Sequence, residues 1–200
     1  TDAIELALRA LDIGLGDEVI TVSHTAVATI AAIESTGADA VLVDVEPRYY
    51  TLNPNQLEEV FSDKTRAIIA VHLYGQAADL KSIRDFCDRK NIFLIEDTSQ
   101  AHGATYLGVR LGNIGDISCF SCYPTKNLGA IGDAGLITTN NSNFAAKVRA
   151  LREYGWNNRV SENPGRNSRL DEIQAAILRI KLKYLDSDNK KRLRLAEYYS

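Results

Sequence analysis

Residues 67–97, AIIAVHLYGQAADLKSIRDFCDRKNIFLIED, hold two apolar runs with an amphipathic segment between them. Ala67 to Val71 reads as a strand, Asp79 to Lys90 as a helix, and Ile92 to Ile95 as a second strand. Neither apolar run alternates with polar residues, so each strand needs cover on both faces. Continuous apolar strands separated by helices predict a mostly parallel sheet between two helical layers.

The same alternation runs upstream. Thr1 or Asp2 caps a helix whose Ile4, Leu6, Ala7, Leu8 and Leu11 follow the helical period, with Gly14 and Gly16 ending it. Val19 to Val22 is a strand, Thr25 to Ser35 a helix stopped by Gly37, and Ala40 to Val43 another strand. Asn53 with Pro54 starts a helix that turns Leu57, Val60 and Phe61 inward. Downstream the pattern loosens. Tyr106 to Gly112 reads as a hairpin, Ile117 to Phe120 and Leu136 to Thr139 as strands, and Ser142 to Tyr154 as a helix after the turn Asn140-Asn141. Gly155 to Ser168 reads as a loop, Leu170 to Leu185 as one helix, and the charged tail after Asp186 as more helix, through Ser200. The fold class is α/β, three layers α/β/α with a mixed, mostly parallel central sheet.

Two hundred residues allow one domain or slightly more, with ample core. A net charge of -3 gives no electrostatic case for nucleic acid or an anionic membrane. No apolar run approaches the roughly 20 residues of a membrane helix, and no signal peptide is visible. Three cysteines build no disulfide framework, and the expected location is cytoplasmic. The chain opens directly on a helical pattern and closes within another, as a piece of a longer polypeptide would.

Ligands of open α/β sheets bind beyond the carboxyl ends of the strands. His24 and Thr25 fall there, as do His72 with Tyr74-Gly75-Gln76, then Glu96-Asp97 with Gln100 and His102, then Ser121 to Lys126. Within FSCYPTKNLGAIGDAG, residues 120–135, Lys126 lies between hydroxyl-bearing and glycine-rich runs. A lone lysine is ordinarily a solvated surface residue. Here Pro124 fixes the chain direction before it, and the glycines let backbone approach a ligand closely. An amine held in such a turn-rich pocket can lose its proton and form a Schiff base with a carbonyl. Asp97 directly follows an apolar run, so its carboxylate emerges from a buried strand. It can cap a helix, or it can bond a protonated pyridine nitrogen and strengthen the ring as an electron sink. Thr1 and the Asp2 amide at a helix start suit a phosphate, and Ser121 adds a hydroxyl. A phosphate, a pyridinium partner and an aldehyde-capturing amine describe a site for pyridoxal 5'-phosphate.

Cys119-Phe-Ser-Cys122 has the spacing of a zinc or redox pair, but only Cys87 remains to complete a zinc site, and the structural reading is preferred. His24, His72 and His102 could gather on a metal, but are read as pocket-shaping or as satisfying backbone groups.

TDAIELAL, GDEVITVSHTAVAT, VHLYGQ, EDTSQAHGA, FSCYPTKNLGAIGDAG and NSRLDEIQAA, in this order over nearly the whole chain, resemble the motifs of the DegT/DnrJ/EryC1/StrS sugar aminotransferases. The resemblance implies the large domain of the aspartate aminotransferase-like pyridoxal phosphate transferases over residues 1–185. Residues 186–200 then begin a connection to a small domain, and a segment precedes Thr1. It implies Lys126 as the Schiff-base residue and general acid–base, Asp97 on the pyridine nitrogen, Gln100 near the phenolic oxygen, Thr1, Asp2 and Ser121 at the phosphate, and Ser99 on one ring face. Many relatives stack an aromatic on the cofactor where this chain has Ala26, which leaves His24 as the candidate. Asn167 matches an asparagine that reaches the neighbouring subunit's phosphate, which implies a homodimer with shared sites. Relatives that dehydrate carry histidine in place of the lysine, so Lys126 argues for transamination. The implied reaction moves an amino group from glutamate to a nucleotide-linked keto sugar. HTAVAT and YGQ favour a 3-keto-6-deoxyhexose. An inosose aminotransferase shares every motif, and a non-catalytic binding or regulatory protein is the rival from another class.

Overall fold

A computed structural model describes residues 1–199. Helix α1 (Asp2–Ala10) is followed by β1 (Glu18–Val22), α2 (Val27–Thr36), β2 (Asp39–Val43), α3 (Leu57–Val60), β3 (Thr65–Val71), α4 (Leu80–Lys90) and β4 (Phe93–Asp97). Two-residue strands β5 (Thr105–Tyr106) and β6 (Val109–Arg110) form the expected hairpin. Then come β7 (Ile117–Ser121), β8 (Gly135–Thr138), α5 (Ser142–Leu151), the ribbon β9 (Trp156–Asn157) and β10 (Val160–Ser161), α6 (Glu172–Leu182) and α7 (Leu185–Glu197).

The main sheet has the order β2-β1-β3-β4-β7-β8, parallel throughout except that β8 runs antiparallel to β7. The mixed, mostly parallel α/β fold predicted from the alternation is therefore present. Ala67, Ile68, Ile69 and Ala70 are all fully buried. Successive strand residues point to opposite faces, so both faces of β3 are covered. Helix α1 packs with α2 and α5 and lies against β7 and β8, while α4 packs on β3 and β4 with α3 beside it. Right-handed crossovers on either side of β1 place these groups on opposite faces of the sheet.

Local sequence explains most boundaries. Asp79 caps α4 by accepting from the Ser82 N–H, and Asn141 caps α5 by accepting from the N–H groups of Asn143 and Phe144. Gly37 ends α2 in the left-handed region, where a side chain would strain the backbone.

The structure departs from the sequence reading at three places. Strand β4 runs past Ile95 to take in Glu96 and Asp97. The loop expected over 155–168 contains the β9–β10 ribbon, turned through Asn158 and Arg159 at φ 50° and 65°. Such a turn favours glycine in its second place, and arginine there hides it from sequence. The single helix expected over 170–185 breaks at Lys183–Tyr184 into α6 and α7, and the tail continues as helix to Glu197. The Ser200 end of that expectation lies outside the described residues. No helix among them is long and apolar enough to cross a membrane.

One close approach makes a prediction. A Cβ on Gly112 would fall against the Phe120 ring, and its φ is 93°. Gly112→Ala is expected to destabilise by more than about 1 kcal/mol, read as a lower urea midpoint.

Candidate active site

A cleft of about 100 Å³ opens beyond the carboxyl ends of β1, β3, β4 and β7, at the point where the strand order turns away from β1. Its walls include Thr1 at the start of α1, Thr25 and Ala26 after β1, His72 after β3, Asp97, Ser99 and Gln100 at β4, and Ser121 and Lys126 at β7. Of the residues singled out from sequence, Thr1, Asp97, Ser99, Gln100, Ser121 and Lys126 meet on this one cleft. His24 is not among the lining residues; its Nε2 lies 2.9 Å from the Tyr74 hydroxyl. Asn167 is exposed, bridges Glu153 and is not among the residues that line this cleft. Asp2 is held from outside, by Ser168 Oγ at 2.6 Å and the Arg166 guanidinium at 2.8 Å.

Asp97 is 6% exposed. Its Oδ2 accepts from Thr29 Oγ1 at 3.2 Å and its Oδ1 from the Ser99 N–H at 3.1 Å. Thr25 Oγ1 lies 2.9 Å from Thr29 Oγ1 and donates there, because the Thr29 proton points to Asp97. No cationic side chain among the described residues pairs with Asp97. A buried carboxylate with two neutral donors and no counter-charge is poised to take a positively charged N–H. The Lys126 amine likewise has no hydrogen-bond or ion-pair partner among the described residues, although its backbone N–H donates to the Tyr123 carbonyl at 2.9 Å.

At the far wall, the Thr1 carbonyl accepts from the N–H groups of Ile4 and Glu5, and the Asp2 and Ala3 N–H groups have no acceptor among the described residues. The Thr1 side chain makes no capping bond. The Ser121 hydroxyl only accepts a long contact, 3.4 Å from the Tyr123 N–H, so its proton is available. These donors and the positive end of α1 suit a dianionic group. Gln100 is oriented by the Tyr74 N–H, which donates to its Oε1 at 2.7 Å.

The histidines do not converge on a metal: the described residues contain no group of three or more candidate ligands. His72 is fully buried, accepts at Nδ1 from the Ala78 N–H and donates from Nε2 to Glu96 at 3.1 Å, so the neutral ring satisfies both contacts. His102 is buried, and neither ring nitrogen has a hydrogen-bond partner among the described residues. Burial pushes its pKa down and the nearby Lys126 charge adds to this, against an opposing pull from the Ser121 backbone. Cys119 belongs to the main core and Cys122 to a second cluster beneath the lysine. Burial raises both thiols, Cys122 to about 11, and keeps them unreactive.

Sequence reading missed Thr29, and it placed Glu96 beyond a strand end without giving it a role. Thr29 lies one helical turn beyond Thr25, a spacing that α2 could have exposed. Glu96 is fully buried and accepts from the N–H groups of Gly112, Ile114 and Gly115 at 2.9, 2.8 and 2.7 Å, from Ser118 Oγ and from His72. Burial alone would raise its carboxyl, but the His72 and backbone donors outweigh that and hold it at about 2. A larger cavity of about 260 Å³ sits at the other end of α1, but Lys147 and Arg9 there are already paired with Asp12 and Glu5.

The whole chain, residues 1–200, matches the model of the DegT/DnrJ/EryC1/StrS aminotransferase family. The chain belongs to that family. It is 52% identical to the dTDP-3-amino-3,6-dideoxy-alpha-D-galactopyranose transaminase of Aneurinibacillus thermoaerophilus over 200 residues, 99% of this chain and 55% of that one. The crystal structure of S. venezuelae DesV in complex with a ketimine intermediate superposes with a TM-score of 0.96 at 47% identity, over 99% of this chain and 54% of that one. The ntda protein of Bacillus subtilis, solved with bound cofactor PMP, gives a TM-score of 0.92 at 38% identity, over 99% and 46%. The chain spans about half the length of the curated relatives it matches. As a DegT/DnrJ/EryC1/StrS family member, it has its cleft residues on the motifs from which the resemblance was first read.

Proposed function

We propose that this family member transfers an amino group from glutamate to a nucleotide-linked keto sugar, of the dTDP-3-keto-6-deoxyhexose type, using pyridoxal 5'-phosphate. One observation carries the reading. A lysine amine, a buried carboxylate without a counter-charge and a set of free anion donors share a single cleft. This donor set fits the cofactor at all three of its polar ends. The names of the relatives, transaminases of dTDP-linked amino sugars, support the substrate class.

When bound, pyridoxal phosphate supplies an electron sink for a carbanion formed beside the amino nitrogen. The chain's residues do the rest. Thr1, Ser121 and the first N–H groups of α1 would hold the phosphate, and Asp97, kept in place by Thr29 and Ser99, would keep the ring nitrogen protonated. The Lys126 amine would hold the cofactor's aldehyde end, and its Nζ would be the group that takes up and returns a proton at the amino donor's α-carbon. Gln100 would bond the phenolic oxygen, and Ser99 would face one side of the ring. His24 would border the other beside Ala26, without a place in the cleft wall.

On the same reading the protein is a cytoplasmic homodimer. Asn167 would reach the phosphate held by a second copy, a reading supported by its exposure and its absence from its own cleft's lining. Residues 1–185 form the cofactor-binding domain and 186–200 lead toward a smaller one.

The test is transfer of ¹⁵N from labelled glutamate to a panel of nucleotide-linked keto sugars and inososes, read by mass spectrometry. Label in a nucleotide-linked amino sugar supports the proposal. Label only in an aminated inosose, or in no product, contradicts it. Asp97→Asn is expected to lower turnover on the order of 10²-fold or more, because the ring nitrogen loses its charged partner. Turnover within twofold of the parent would remove Asp97 from that role.

A further inference from the structure

We propose that the α6–α7 arm, through Asn189 above all, positions Lys126; the proposal rests on the reading of Lys126 as the working amine. The apolar residues of the loop that carries this lysine lie outside the main core. Cys122, Leu128 and Ala130 pack with Leu178 of α6 and Leu185 of α7 in a hydrophobic cluster separate from the main one. Polar contacts follow the same division. The Ile131 N–H donates to Gln174 Oε1 at 3.0 Å, and Lys181 Nζ donates to the Gly129 carbonyl. Asn127, the residue after the lysine, donates from Nδ2 to Asn189 Oδ1 at 2.8 Å.

Asn189 also faces the other side of the cleft. Its Nδ2 donates to the His102 carbonyl at 2.8 Å, two residues beyond Gln100. One amide thus ties the lysine loop to the segment that presents Asp97 and Gln100. Both bonds are part-buried, where losing one leaves a partner short of water. The Arg110–Asp186 ion pair also pins the start of α7, but both side chains are more than half exposed and it contributes little. The Gln174 amide also lies close over Gly132, where a Cβ would stand 2.7 Å from Nε2. The arm therefore fixes where the amine stands relative to Asp97, and Asn189 is a positioning residue that never touches the reactants.

The test uses Asn189→Ala and Asn189→Asp, the latter keeping the acceptor for Asn127. In the cofactor-free protein, amide hydrogen exchange at Lys126, Ala130 and Ile131 is expected to speed up about tenfold in Asn189→Ala, with β3 and β4 amides unchanged. In the loaded protein, turnover is expected to fall about tenfold with the glutamate KM within about twofold, and Asn189→Asp to recover part of both losses. Unchanged loop exchange overturns the proposal, and so does faster exchange spread evenly over the sheet. If Asn189→Ala does not fold, Asn127→Ala cuts the same bond from the loop side and is read in the same way. A parent protein that fails to aminate any sugar would contradict the proposed function, while the exchange arm would still decide whether the arm holds the loop.

Discussion

Lys126→Ala is expected to bind pyridoxal phosphate weakly, to show no visible absorbance band from a covalently held cofactor, and to lose turnover. The lost proton transfer alone is worth about 10²–10⁴-fold. Loss of the covalent bond to the cofactor adds to that, since no other lysine lines the cleft. The fold should survive. Lys126 is only half-buried, and its side chain makes no hydrogen bond or ion pair among the described residues. A normal urea midpoint together with abolished turnover is the expected pair of results. Activity above a hundredth of the parent's would mean that another group handles the proton.

Glu96 should matter as much to stability as Lys126 does to chemistry. Its two oxygens accept from five donors, three of them backbone N–H groups of residues 112–115, so it organises the loop between β6 and β7. Glu96→Gln replaces one accepting oxygen by an NH₂ group that faces N–H donors. The expected cost is about 3–5 kcal/mol, or a fall in Tm of roughly 6–20 °C.

The pH dependence has a definite sign. The folded-state pKa of Glu96 is depressed, from 4.5 to about 2. Its contribution is therefore complete above pH 4.5 and lost as pH falls toward about 2, some 3 kcal/mol in all. Urea midpoints measured at pH 7, 4 and 3 should show a steeper acid loss in the parent than in Glu96→Gln. Equal slopes would mean that the buried carboxylate is not the group that titrates.

The legible and hidden parts of this protein divide along the chain's own distances. Strands such as Ala67–Val71 announce themselves because a fully buried strand has no polar face. Most cleft residues could be anticipated because they stand at or just beyond the end of such a strand, where parallel sheets bind ligands, and Thr1 because it opens a helix. The role of Glu96 was hidden because its partners come from 112–118 and from His72, and no local pattern announces contacts across that separation. Thr29 looked like any helix residue until the fold carried Asp97 beneath it. The break at Lys183–Tyr184 leaves no mark, since neither residue interrupts a helix as glycine or proline would. The tie between Asn127 and Asn189 joins residues far apart in sequence that only the folded arm brings together.

The central claim is that Lys126 is the amine that takes the cofactor's aldehyde. Its most direct test is borohydride reduction of the loaded protein, followed by peptide mass spectrometry. The account predicts a pyridoxyl mass on the peptide that contains Lys126, and none in Lys126→Ala. A pyridoxyl mass on a different lysine, or its persistence in the variant, would contradict the account.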